Sequence, residues 1–204
     1  MALVLNGSTD TITGLQINSA NIVDGSIVNA DINSSAAIAS SKISGSLGKI
    51  LQVVSTTQTS VSSVSVASGA FANLAPTVTI TPSSSSNKVL VTSAIEVSCE
   101  VGQINHDYRL LANGSVVTAA IGDASGSRRQ ATGTNESYHS ESSALICINF
   151  LHSANTNSAV TYSIQVGHSS SSTRTIYCNR SGSDGNDSKI GRYTSTITVM
   201  EVAA

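Results

Sequence analysis

Isoleucine recurs every five residues at Ile12, Ile17, Ile22, Ile27 and Ile32, then at Ile38 and Ile43 after a slip of one residue. This is an internal repeat. Neither a helix, with period 3.6, nor a flat strand, with period 2, holds every fifth residue on one face. Gly14, Gly25, Asn18, Asn21, Asn29 and Asn33 fall between the isoleucines, and these turn formers predict one backbone turn per repeat. A single chain has nothing against which to bury such a row, because one apolar residue per turn does not offset the entropy of ordering the backbone. Identical rows packed about a common axis remove that difficulty, and three chains are expected for a thin β-structured stalk. The alternative is a disordered linker whose isoleucines dock into grooves on a larger partner. A short helix is expected over 36–43, before Gly45 and Gly48, so the stalk is assigned to residues 1–48 and a head domain to 49–204.

From Lys49 onward the pattern changes to strand-length runs of β-branched residues punctuated by Ser, Gly, Asn and Pro. Strands are predicted at Ile50–Thr56, Val61–Ala67, Thr77–Thr81, Lys88–Cys99, Asp107–Ala112, Ser115–Ala119, Ser143–Leu151, Val160–Gly167, Arg174–Cys178 and Ser195–Val202. Asn113-Gly114 between two apolar runs marks a two-residue hairpin, and Pro82–Asn87 a turn. No long helical periodicity is present. The expected fold is therefore all-β, an antiparallel β-sandwich of jelly-roll type. Val160, Tyr162, Ile164 and Val166 alternate with polar residues, as a half-exposed strand does. Ala144–Leu151 is apolar on both faces. Either that strand is central, between packed layers, or its second face, Leu145, Cys147 and Leu151, is a contact between subunits.

Composition adjusts this picture in two ways. Only 11% of the residues are charged and 3% aromatic, with no Trp, so the core must be aliphatic and the surface polar yet nearly uncharged. A core of that kind often relies on oligomerisation. A net charge of −2 and the isolated pair Arg128–Arg129 give no footprint for nucleic acid. No run approaches the roughly 20 apolar residues of a membrane span. The N-terminal residues lack the pattern of a signal peptide, so the expectation is a chain made in the cytosol.

Candidate chemistry is sparse. Cys99, Cys147 and Cys178 are odd in number and widely spaced, which argues for reduced core thiols instead of a disulfide framework or a zinc site. His106, His139, His152 and His168 are dispersed, and neither a nucleophile elbow nor a carboxylate pair is evident. No cofactor, metal or catalytic residue is expected. Ser183–Asp187 clusters oxygen donors that suit either a calcium ion or an Asx turn, the turn being favoured because the twelve-residue calcium loop is missing. Asp123–Ser143 reads as one long loop carrying Arg128, Arg129, Tyr138 and His139, the place for a binding surface on a rigid sandwich.

Two stretches carry a resemblance. One is Ile22-Val23-Asp24-Gly25-Ser26-Ile27-Val28-Asn29-Ala30-Asp31-Ile32, continuing to Ala36-Ala37-Ile38 and Ser41-Lys42-Ile43. The other comprises Ser158–Tyr162, Tyr177–Ser181 and Ser195–Val202. Both resemble fibre and other virion structural proteins of tailed bacteriophages, especially those infecting aquatic bacteria and cyanobacteria. The resemblance implies a repeat that attaches to the particle or forms a shaft and a distal trimeric β knob. Its implied partners are two further copies, tail, baseplate or capsid proteins, and host surface polysaccharide. It implies a virion location and either a short tail fibre or a capsid decoration protein. It implies no catalytic residue, and residues 100–142 are not covered by it.

Overall fold

The computed structural model describes residues 22, 23, 25–33, 35, 36, 38 and 49–204. Ile12, Ile17 and Ile43 lie outside the described residues, as do residues 37 and 39–43 of the expected helix. The chain divides into two units, Met1–Leu47 and Gly48–Ala204.

In the first unit three turns follow one another at the period of the repeat. The Ser26 N–H donates to the Val23 carbonyl at 2.9 Å, Asp31 to Val28 at 2.9 Å, and Ala36 to Asn33 at 2.8 Å. Successive acceptors are thus five residues apart, as the isoleucines are. Gly25 supplies a positive φ of 77° in the first turn. In the second, a short 3-10 turn over Asn29–Asp31, the Asp31 carboxylate also accepts the Val28 N–H at 2.9 Å. The third is an Asx turn, with the Ser35 N–H on the Asn33 side-chain oxygen at 2.8 Å. Ile22, Ile27, Ile32 and Ile38 remain between 41% and 55% exposed.

The second unit is built of antiparallel strands, and no α-helix occurs among the described residues. The strands are β1 (Ile50–Gln58), β2 (Ser62–Val66), β3 (Ala72–Ile80), β4 (Lys88–Cys99), β5 (Ile104–Ala112), β6 (Ser115–Val116), β7 (Gly133–Ser137), β8 (Ala144–His152), β9 (Val160–His168), β10 (Arg174–Cys178) and β11 (Ser195–Val202). They form two sheets, arranged as in a β-sandwich. In the first sheet β4 is central. On one side it carries β11 against 88–94 and β10 against 97–99, and on the other β8 against 89–97. β1 and β2 complete the sheet on β11 and β10. The second sheet runs β3–β9–β5, with β6 and β7 sharing the far side of β5.

Asn179 repairs the first sheet where residues 179–194 leave it between β10 and β11. With φ at +66°, its side-chain amide donates to the Gln58 and Ser60 carbonyls at 2.8 and 3.0 Å. Its side-chain oxygen accepts a short bond from the Ser195 hydroxyl, which itself accepts the Glu96 N–H at 3.0 Å. An otherwise unsatisfied set of buried groups is closed by one residue.

Between the sheets lies an aliphatic core. Val89, Val91, Ile95, Val97 and Cys99 of β4, Ile146 of β8, Leu110 of β5, Ile164 and Val166 of β9, Ile176 of β10, and Ile197 and Val199 of β11 are all at most 1% exposed. Tyr162 is buried with them, its hydroxyl satisfied by His152 Nδ1 at 2.8 Å. Glu201 is buried at the β11 end, where its Oε1 accepts the Ser83 N–H, the Ser83 hydroxyl and the Asn87 amide at 2.7, 2.6 and 2.6 Å. Burial pushes this carboxyl up, but those bonds outweigh it and hold it below the ordinary carboxylate value.

Several strand expectations change, and β9, which lies between β3 and β5, is largely buried on both faces instead of half-exposed. Asp123–Ser143 is not a single loop, because it contains β7, an edge strand of polar residues without apolar alternation. β3 begins at Ala72, five residues earlier than expected. Pro76 sits in a register irregularity between Leu74 and Val78 on this edge strand, a place where its missing N–H is tolerated. β6 stops at Val116, and a 3-10 turn over Thr118–Ala120 follows. The hairpin at Asn113-Gly114 forms as expected, with φ of +49° and +77°.

Candidate interaction surface

The outward face of the first sheet is the most unusual surface of the head. Strand alternation and register give its composition directly. β8, β4, β11 and β1 lie side by side, and their outward residues fall into cross-strand rows. One row is Leu151, Leu90, Met200 and Val53, the last 57% exposed. The next is Asn149, Thr92, Thr198 and Ser55, and the third is Cys147, Ala94, Thr196 and Thr57. Within two of the rows hydroxyl pairs tie β1 to β11: Ser55 to Thr198 at 2.8 Å and Thr57 to Thr196 at 2.9 Å. None of these twelve side chains is a carboxylate, a guanidinium or an ammonium. The solvent face of an antiparallel sheet is ordinarily polar, and edges such as β8 ordinarily carry charge. Depletion of charge with exposed Leu151 and Val53 beside half-buried Leu90 and Met200 is instead the signature of an interface core.

The relief of the face is uneven. Thr92, Ala94, Thr196 and Thr198 line a recess of about 300 Å³, while the Leu151–Leu90–Met200–Val53 row stands beside it. Lys88 and Glu96 flank the three rows along β4 on this face, Glu96 accepting the Ser143 hydroxyl at 2.6 Å.

Leu145, Cys147 and Leu151 all lie exposed on this face. β8 is an edge strand, paired only with β4, so a central position between packed layers is excluded. The edge is partly closed by the second sheet, since the Leu145 carbonyl accepts the Asn135 amide at 2.7 Å and the Cys147 carbonyl accepts the Tyr108 hydroxyl at 3.2 Å. Cys147 is not a core thiol. Cys99 and Cys178 are buried, and burial raises both, Cys99 to about 11.

The four residues assigned to a surface loop do not assemble. Arg129 is held by Asp107 at 2.7 Å and by the His168 carbonyl, beside a cleft of about 460 Å³. Arg128 donates to the Ser125 hydroxyl at 2.6 Å. Tyr138 and His139, stacked edge to face at 4.8 Å, lie beyond β7, whose five residues span about 17 Å. In the Ser183–Asp187 segment, Asp187 forms an Asx turn with the Lys189 N–H at 3.0 Å. Asp184 is taken by Arg180 at 2.7 Å and by Arg192. No cluster of three or more His, Cys, Asp or Glu among the described residues is placed to hold a metal ion.

Sequence reading missed the outward residues of β1, β4 and β11. Their signal was present in Leu90, Thr92, Ala94 and Thr196, Thr198, Met200, two uncharged alternating sets, but only the pairing shows that they share one face with β8. No family model matches the chain, and no curated protein does.

Proposed function

We propose that the chain is a structural protein of a tailed-phage virion, a short trimeric fibre attached to the particle by its N-terminal repeat and presenting its head to the host surface. The observation that carries this reading is the repeat: turns at 23–26, 28–31 and 33–36 in step with Ile22, Ile27 and Ile32, which stay exposed. Side chains of that size lower the free energy by roughly 1.5–3 kcal/mol each when fully buried, so a row of them in step favours association with identical rows. The low charge content, 11% of the residues, and the all-β head accord with a particle component that works by binding instead of by chemistry.

A capsid decoration protein is the second reading, and the strand order favours keeping it. β1 on β11 and β2 on β10, followed by β4 and β8, with β3–β9–β5–β7 in the second sheet, accords with a two-sheet jelly roll, an architecture of viral capsid and lectin domains alike. Labelling purified particles with an antibody to the head separates the two, by density at the tail or over the shell. Label on neither sinks both. Release of new reducing ends from host polysaccharide by the purified chain would instead mark an enzyme.

A further inference from the structure

We infer that the outward face of the first sheet packs against the same face of a second copy of this chain, across a two-fold axis near Thr92. The inference goes beyond the stalk, because it concerns the heads and rests on their own geometry.

Charge complementarity selects the partner. On this face β4 carries Lys88 at its start and Glu96 further along, each four residues from Thr92, about 13 Å in either direction. A two-fold axis lying between the two sheets, over Thr92 and parallel to the Asn149–Thr92–Thr198–Ser55 row, sets Lys88 of one copy against Glu96 of its mate, twice over. Relief gives the same register. The bulky row Leu151–Leu90–Met200–Val53 and the small row Cys147–Ala94–Thr196–Thr57 flank the Thr92 row at equal distances. The axis thus lays the bulky row of one copy over the small row of the other, where the recess of about 300 Å³ lies. Both matches are reciprocal, as an isologous contact requires. Two sheets stacked face to face lie about 10 Å apart, a separation that side chains of this size fill.

Other occupants fit less well. A glycan is gripped by exposed rings, and none of the twelve residues is aromatic. Nucleic acid needs basic residues that the three rows lack.

The test uses the full chain in sedimentation velocity with Thr92→Arg, which places two guanidinium groups against each other at the axis from a half-buried position that faces outward from the sheet. The expected result is a mass half that of the wild type. Halving from six chains to three accompanies a trimeric stalk, and halving from two to one occurs without it, so failure of the stalk reading is read separately. Lys88→Glu and Glu96→Lys should each weaken self-association, and the double variant should restore it. An unchanged mass for Thr92→Arg overturns the proposal, as does a double variant no better than either single one.

Discussion

Acid should weaken the head through His106. This side chain on β5 is fully buried and lies in cross-strand register with His168 of β9, which is buried as well. Ser137 of β7 meets its Nε2 at 2.9 Å, and its Nδ1 has no hydrogen-bond partner. His168 is differently provided for, with Nε2 on the Val66 carbonyl of β2 at 2.8 Å and Nδ1 accepting the Ser170 N–H at 3.2 Å. Burial first, and the neighbouring His168 second, push His106 down from 6.5 to about 4. The unfolded chain therefore takes up a proton near pH 6.5 and the folded head only near 4. Between those values the unfolded state binds more protons, so stability falls as pH falls. At about 1.4 kcal/mol per pH unit of displacement, the loss is on the order of 3 kcal/mol, absent above 6.5 and complete below 4. Urea unfolding of the whole chain at intervals from pH 7.5 to 4 measures it. His106→Phe should flatten the decline, while costing about 1 kcal/mol at pH 7.5 because the Ser137 hydroxyl loses its partner. Parallel declines in wild type and variant would refute the assignment to His106.

Three further outcomes are expected. Glu201→Ala leaves the Ser83 N–H and the Asn87 amide without their acceptor and should lower unfolding free energy by roughly 2–4 kcal/mol; a loss below 0.5 kcal/mol would show that the turn over Pro82–Asn87 does not depend on it. In the Thr92→Arg variant, whose heads are expected to stand apart, Cys147 should react with a thiol reagent well before Cys99 and Cys178, one fast equivalent per chain, since only it is exposed on the single head. Three fast equivalents would contradict the described burial. Replacing Ile22, Ile27 and Ile32 together by Ser should abolish threefold association by light scattering without moving the melting temperature of the head, and unchanged association would remove the basis for the stalk.

Alternation made most of the sandwich legible in advance. Lys88–Cys99, Arg174–Cys178 and Ser195–Val202 have the bounds expected, because small apolar residues alternate toward the core in each: Val89, Val91, Ile95 and Val97 in the first, Ile176 and Cys178 in the second, Ile197 and Val199 in the third. β7 was illegible for the converse reason: Gly133–Ser137 is polar throughout and owes its strand state to pairing with β5, which tertiary context alone provides. The interaction face was legible in parts. Leu145, Cys147 and Leu151 announced a second apolar face, but Leu90, Met200 and Val53 join them only through register, and register couples residues more than a hundred positions apart. The same limit applies to Asn179 and Glu201, ordinary polar residues in sequence that become structural once their partners converge.

The proposed assembly of three chains through the repeat is tested most directly by native mass spectrometry of the full chain. A mass that is an integer multiple of three chains of 20.8 kDa is the predicted result, persisting as three in Thr92→Arg, whereas a stable monomer or a dimer would contradict it.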